Sequence, residues 1–272
     1  MTNDSSIKYI LINNKNELKS YWSEIKRLFA SIFNKELNYQ LWEWAYINNP
    51  FDDPLVVLAY YEKELVGHYA LIPQLYVQGS TSKYYKAYLS MTSMVERRVV
   101  KYNIFQKMAE LANLRAIQNS YSFTVGFPNK NAVNGLAKRI GWTIDVIDSV
   151  YLLSKQDILM YLSANKDFFN KDKISININH VYKKWRLSKP EQLYEGDYSI
   201  YKLFKDNIMD IVFLNENINF LEDEKKYNIL LPSGISEFEE KVCFDYQFAY
   251  KIYDETILDI VFKKDLIMSD IF

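Results

Sequence analysis

The spacing of apolar residues along this chain switches repeatedly between the two-residue repeat of a strand and the 3.6-residue repeat of a helix. Residues 7–12 alternate weakly and predict a first strand. From 14 to 33, Leu18, Tyr21, Trp22, Ile25, Leu28, Phe29 and Ile32 fall at helical spacing, with Asn14 or Asn16 placed to cap that helix. A short aromatic helix over 41–47 ends near Asn49 and Pro50, because proline disfavours helical backbone in the residue before it. Runs 55–61 and 66–77 predict a hairpin around Glu62, Lys63 and Glu64. A strand over 84–95 leads through a polar turn, 96–102, into a long helix over 101–119. Strands over 121–127 and 143–153 flank a helix over 132–139.

The second half repeats a weaker pattern. Residues 157–173 are polar and charged, with a helical piece at 157–162, and the boundary between halves falls here. Trp185 and Arg186 lie in a helix stopped before Pro190. Runs 198–205 and 208–213 predict an antiparallel pair turning at Asp206 and Asn207. A helix over 218–227, a strand over 228–231 and strands over 240–253 and 257–264 complete the reading. No fixed-period repeat is present. The element order predicts an α+β (α/β layered) fold.

The order strand, turn, helix, strand, loop, helix over 84–142 carries the chemistry. It can set a helix N-terminus beside two splayed strands, and free N–H groups with a positive dipole end attract phosphate. Arg97, Arg98 and Lys101 add cations at that turn. No glycine occurs between Gly79 and Gly126, so the turn relies on Asn103, a residue that caps helices and tolerates left-handed backbone. His68 is one of two histidines and has the ordinary acidity of a general base; a half-buried strand histidine bonded to backbone is the equal alternative.

Val95, the turn residues Val100, Lys101, Tyr102, Asn103, Ile104 and Phe105, the stretch Gly126-Phe127-Pro128-Asn129-Lys130-Asn131 and Ile140-Gly141-Trp142 resemble motifs A and B of the GNAT acyltransferase superfamily. Together with Trp42, Trp44, Tyr46, Asn49 and Pro50, with Trp185-Arg186, Pro190 and Tyr194, and with Met268 to Phe272, they look like its branch linked to surface-polysaccharide synthesis. The pattern is departed from at Val100, where Arg or Gln is usual, and at Ala137, where many members carry a general-acid Tyr. The resemblance implies two tandem GNAT-like domains, 1–156 and 157–272, each a mixed, mostly antiparallel sheet flanked by helices. It implies acyl-CoA (coenzyme A) as cosubstrate, with no metal, and a nucleotide-linked amino sugar as acceptor. A 3-hydroxybutanoyl group, otherwise acetyl, and a dTDP-linked 3-amino-3,6-dideoxyhexose are the matching pair.

On this reading Met94, Val95, Val100, Lys101, Tyr102, Asn103, Ile104, Phe105, Asn129 and Asn131 hold the CoA arm and phosphates. His68 and Asp270 are the candidate catalytic groups, and Arg186 the candidate for an acceptor diphosphate. Two other readings compete. A twin-GNAT aminoacyl or peptidyl transferase would carry a basic tRNA-facing surface, and a non-catalytic GNAT-like binding module would keep the fold without turnover.

Charge narrows these. With 33 basic and 34 acidic side chains the chain has a formal net charge of −1, so duplex nucleic acid is not expected as a partner. Aromatic residues are abundant, 23 of them Tyr, which suits clefts and base stacking and equally a biased genome. The single cysteine, Cys243, excludes an internal disulfide and is expected to be buried among apolar neighbours. A reducing cytoplasm fits, and neither a signal peptide nor a membrane span is expected.

Overall fold

The computed structural model describes residues 7–257 and 260–269. One sheet is built from β1 (Ile7–Ile12), β2 (Leu55–Tyr61), β3 (Glu64–Gln78), β4 (Lys83–Val95), β5 (Phe123–Gly126), β6 (Thr143–Ile144), β8 (Ile174–Ile176) and β14 (Ala249–Ile252). Its order is β1-β2-β3-β4-β5-β14-β6, with β8 joined to the far end of β3. A second sheet, in the order β13-β7-β12-β11-β10-β9, contains β7 (Asp148–Ser154), β9 (Tyr194–Glu195), β10 (Ile200–Lys205), β11 (Ile208–Phe213), β12 (Lys226–Pro232) and β13 (Val242–Tyr246).

The central strands of the first sheet read as nearly unbroken apolar runs because helices cover both faces. Val56 and Leu58 face the side holding α1 (Lys15–Ser20), α2 (Trp22–Phe33) and α3 (Tyr39–Trp42), which continues as one π-helical turn, Glu43–Ile47. Leu55, Val57 and Ala59 face the other side, with α4 (Ile104–Gln118) and α5 (Lys130–Ile140). The β2–β3 hairpin closes through Glu62 and Lys63, both left-handed at φ 50° and 68°, the geometry that matches strand twist. Pro73 sits inside β3 where β2 has already ended opposite Leu71, and its carbonyl accepts from Asn49 Nδ2 at 3.0 Å.

In the second sheet, α6 (Lys155–Ala164) begins on a reciprocal Ser154–Asp157 capping box and packs Ile158 and Tyr161 against Tyr151, Leu153 and Phe238. The segment 261–263 runs beside β8, with Ile174 N donating to Val261 O at 2.8 Å and Lys263 N to Ile174 O at 2.9 Å. Lys263 Nζ then reaches Asp265 at 2.7 Å and the carbonyl of Leu214 at 2.9 Å, tying the sheets together. Lys264 pairs with Asp148 in the same junction.

Sheet membership crosses position 156 in both directions: β7 lies in the second sheet, while β8 and β14 lie in the first. The run 143–153, expected as one strand, is therefore two, β6 and β7, in different sheets. Residues 240–253 divide likewise into β13 and β14. The helix expected over 218–227 does not form. Asn215 and Asn217 accept, through their side chains, the backbone N–H two residues on, at 3.4 and 3.2 Å, and these local bonds compete with helix. Among its described residues, 257–264 contributes only the bridge between Phe262 and Ile174. Cys243 is exposed rather than buried, because β13 is an edge strand. No helix among the described residues is long and apolar enough to cross a membrane.

Candidate active site

β4 and β5 pair in parallel over three positions: Ala87–Phe123, Tyr88–Thr124 and Leu89–Val125. β5 ends at Gly126, whereas β4 continues to Val95 along β3. Residues 90–95 therefore have no strand partner on the β5 side among the described residues. Within that run β4 bulges. His68 pairs with Met94 and Ala70 with Met91, so Thr92 and Ser93 share the single residue Tyr69 across the ladder. Thr92 has a φ of 50°, an uncommon conformation for a β-branched residue. Ser90 Oγ lies 3.2 Å from Tyr69 Oη at the mouth of the gap.

The turn after β4 is a 3-10 helix, Arg97–Tyr102, followed by Asn103 at φ 54° and then α4. Asn103 supplies the left-handed residue that glycine would otherwise provide. The cap expected of it is absent: the Asn103 side chain makes no capping bond, and no side chain among the described residues bonds the first turn of α4. Gly67 lies directly beneath. A Cβ there would stand 3.0 Å from Ile104 Cγ2 and 3.1 Å from Ala59 Cβ, so its absence lets the start of α4 sit close to the sheet. A chain of hydrogen bonds fixes α4 against β5: Tyr253 Oη donates to Asn113 Oδ1 at 2.6 Å and lies 2.8 Å from Thr124 Oγ1. Burial raises the Tyr253 pKa, so this link stays protonated.

The predicted residues divide. Met94 is buried among the α2-side residues, Val95 half-buried, and Val100 and Lys101 exposed on the turn. Tyr102 stacks on Tyr61 at 5.8 Å. Ile104 is buried against the sheet, and Phe105 is half-buried with its ring edge-on to Tyr69 at 5.8 Å. Arg98 is held by Glu64 and Glu96, while Arg97 and Lys101 have no carboxylate partner among the described residues. Asn129 lies just beyond β5 and its Oδ1 accepts from Ala132 N at 3.0 Å, capping α5. Asn131 lies in the first turn of α5.

His68 is fully buried on the α2 side of β3 and bonds through Nδ1 to the carbonyl oxygen of Thr92 at 2.8 Å. Burial lowers its pKa to about 4, and the ring is neutral at physiological pH. Arg186 belongs to a different cluster. On α7 (His180–Leu187), it is fully buried with its guanidinium 5.4 Å from the Trp44 ring and 5.5 Å from the Tyr194 ring. Asp270 lies outside the described residues.

Sequence reasoning missed Gly67, Thr92 and Ser90, and gave Trp142 as part of a motif without a place in the site. Gly141, at φ 67°, turns the chain after α5 so that Trp142 N donates to Leu136 O at 3.2 Å and the indole folds back over β5. There a Cβ on Gly126 would stand 3.0 Å from the Trp142 ring. Only glycine lets the ring close over the end of β5.

A cavity of about 440 Å³ lies at the junction of the sheets, and one of about 480 Å³ lies against β3, β4 and β8 of the first sheet; neither includes a residue from 90 to 95. The first is lined by Lys166, Lys173, Lys263 and Lys264, of which the last two pair with Asp265 and Asp148.

No protein-family model matches the chain, and no curated protein matches its sequence. Among solved structures it is similar to a conserved protein of unknown function from Enterococcus faecalis V583, a probable N-acyltransferase. The TM-score is 0.61 at 8% identity, over 91% of this chain and 73% of that one. It is also similar to GCN5-related N-acetyltransferases from Kribbella flavida (TM-score 0.57, 10% identity, 93% and 73% covered) and Anabaena variabilis ATCC 29413 (0.57, 10%, 90% and 73%). The likeness at such identities is one of fold. The chain has the mixed α+β fold of GNAT acetyltransferases, with two sheets flanked by helices.

Proposed function

We propose that this chain is an acyl-CoA-dependent N-acyltransferase whose donor lies along residues 90–95 of β4. One observation carries the reading: β4 runs on past the end of β5 and delivers the chain, through a 3-10 turn, to a helix start with no side-chain cap. An extended pantetheine arm carries amides that can bond the unpaired β4 backbone as a strand would, and its pyrophosphate suits the first turn of α4 with Arg97 and Lys101 beside it. The fold shared with known N-acetyltransferases supports the same assignment.

The chemistry is direct transfer. A neutral amine attacks the thioester carbonyl, the C–N bond forms as the C–S bond breaks, and the amine proton leaves to a base or water while the thiolate takes one up. A β4 N–H at the gap supplies the oxyanion donor, and holding the two reactants in line supplies on the order of 7–11 kcal/mol. As acceptor we propose the amine of a nucleotide-linked amino sugar, with a 3-hydroxybutanoyl or acetyl group transferred. The short motifs around Trp44, Asn49 and Trp185 that resemble the surface-polysaccharide branch support that choice.

Calorimetry with acetyl-CoA and 3-hydroxybutanoyl-CoA tests the donor, and thiol release with dTDP-linked 3-amino sugars tests the acceptor. Saturable binding with amine-dependent thiol release is expected. Binding without thiol release across a panel of amino sugars would replace the enzyme by a binding module, and no CoA binding would end the reading.

A further inference from the structure

We infer that His68 is a positioning residue that clamps the β4 bulge at Thr92 in the conformation that aims the strand's free amides into the gap. The inference rests on the donor site proposed above and assigns His68 a part in it that involves no proton transfer to substrate.

The bulge does not hold itself. A β-branched residue at positive φ is strained and persists only where neighbours over-determine it. Glycine is the usual occupant of such a position in a bulge, and here Thr92 takes it at φ 50°. A side chain from the α2 face holds it. His68 Nδ1–H donates to the Thr92 carbonyl oxygen at 2.8 Å across the ladder. Tyr46, on the π-helical turn, sets its ring edge-on to the His68 imidazole, 6.3 Å between centroids.

Three further features point to clamping. The His68 ring is fully buried, so no solvent competes for the bond. The neutral ring has one N–H, and the distance to a carbonyl oxygen assigns it to Nδ1. Nε2 is then a bare acceptor, with no hydrogen-bond partner among the described residues. Leaving a buried ring nitrogen unsatisfied costs free energy that a packing role alone would avoid by using Leu or Met. The residue that follows the bulge in register, Met94, is the one that pairs with His68, so the clamp acts where β4 resumes its ladder toward the turn at 97–102.

The test compares His68→Leu, which keeps volume and removes the donor, with His68→Asn, whose amide nitrogen falls near the position of Nδ1. Two readouts are taken: the dissociation constant for acetyl-CoA, and amide hydrogen exchange of residues 92–95 in the ligand-free protein. In His68→Leu, exchange at these amides should rise at least tenfold and acetyl-CoA should bind at least tenfold more weakly, with the KM for the amine unchanged. His68→Asn should restore both to within a few-fold of wild type. Wild-type exchange and affinity in a folded His68→Leu protein would overturn the clamp. Should His68→Leu not fold, His68→Met, which also removes the donor, decides, with faster exchange at Thr92 and Ser93 expected and unchanged exchange overturning it. Exchange is read without ligand, so failure of the wild-type chain to bind acetyl-CoA would count against the donor site and leave the clamp to be judged on exchange.

Discussion

Trp44 and Trp185 lie face to face, 4.7 Å between ring centroids and 13° between planes, and each indole N–H donates to the other's backbone carbonyl, at 2.8 and 3.0 Å. The pair is reciprocal in the same way as a ladder rung, yet it joins residues 141 positions apart. It fixes the π-helical turn that carries Tyr46 to α7, and so connects the second half of the chain to the face of β4 beneath the bulge.

Replacing Trp185 by Phe keeps a stacked ring and removes one donor, leaving the buried Trp44 carbonyl without it. The expected loss of stability is about 1–3 kcal/mol. Urea unfolding should show a lower midpoint with an unchanged slope; an unchanged midpoint would mean that the carbonyl finds another partner.

The pH dependence of stability should carry the signature of His68. The folded ring takes up its proton only near pH 4, whereas an unfolded histidine does so near about 6.5. Between those values the unfolded chain binds more protons, so stability is complete above the unfolded pKa and falls as pH drops toward the folded one. The amplitude is on the order of 3 kcal/mol. Between about pH 7.5 and 4, wild type should therefore lose roughly that much more than His68→Asn, which does not titrate there. Parallel losses in the two proteins would show that the ring is not held neutral.

Gly67 and Gly135 make opposite predictions under the same substitution. At Gly67 an added methyl meets Ile104, Ala59 and Met108 within 3.1 Å, so Gly67→Ala should cost about 1–3 kcal/mol and shift the first turn of α4. At Gly135, inside α5 with nothing within 4 Å, Ala should stabilise by up to about 1 kcal/mol. Thermal unfolding of the two variants side by side checks both signs, and calorimetry with CoA should register only the first.

The succession of β4, turn and α4 was legible because long periodic runs declare their own type. The site at their junction was legible only in outline. A bulge built on Thr92 carries no sequence signature, since glycine is the residue that would announce it. His68 reads as a candidate base in one dimension; its burial depends on Tyr46 and Met94, brought to it from elsewhere. Asn103 was correctly placed at a left-handed turn but without the capping bond, because a side chain caps from extended backbone and Asn103 is left-handed at φ 54° and ψ 31°. The lost helix near Ile218 did have a signal, the alternation of Asn215, Asn217 and Asn219, the first two of which accept local backbone N–H groups through their side chains. Where 143–153 and 240–253 divide between sheets, pattern reports that a strand exists and is silent about its partner.

β14 slots between β5 and β6, although more than a hundred residues separate it from either. During synthesis the rim of β5 must therefore wait, uncovered, until more than a hundred further residues have been made. An open rim of that kind invites pairing with a stranger. Slow maturation and a need for chaperone shelter are the expected biological cost, and a nascent chain halted before Ala249 should be the most adhesive species this gene produces.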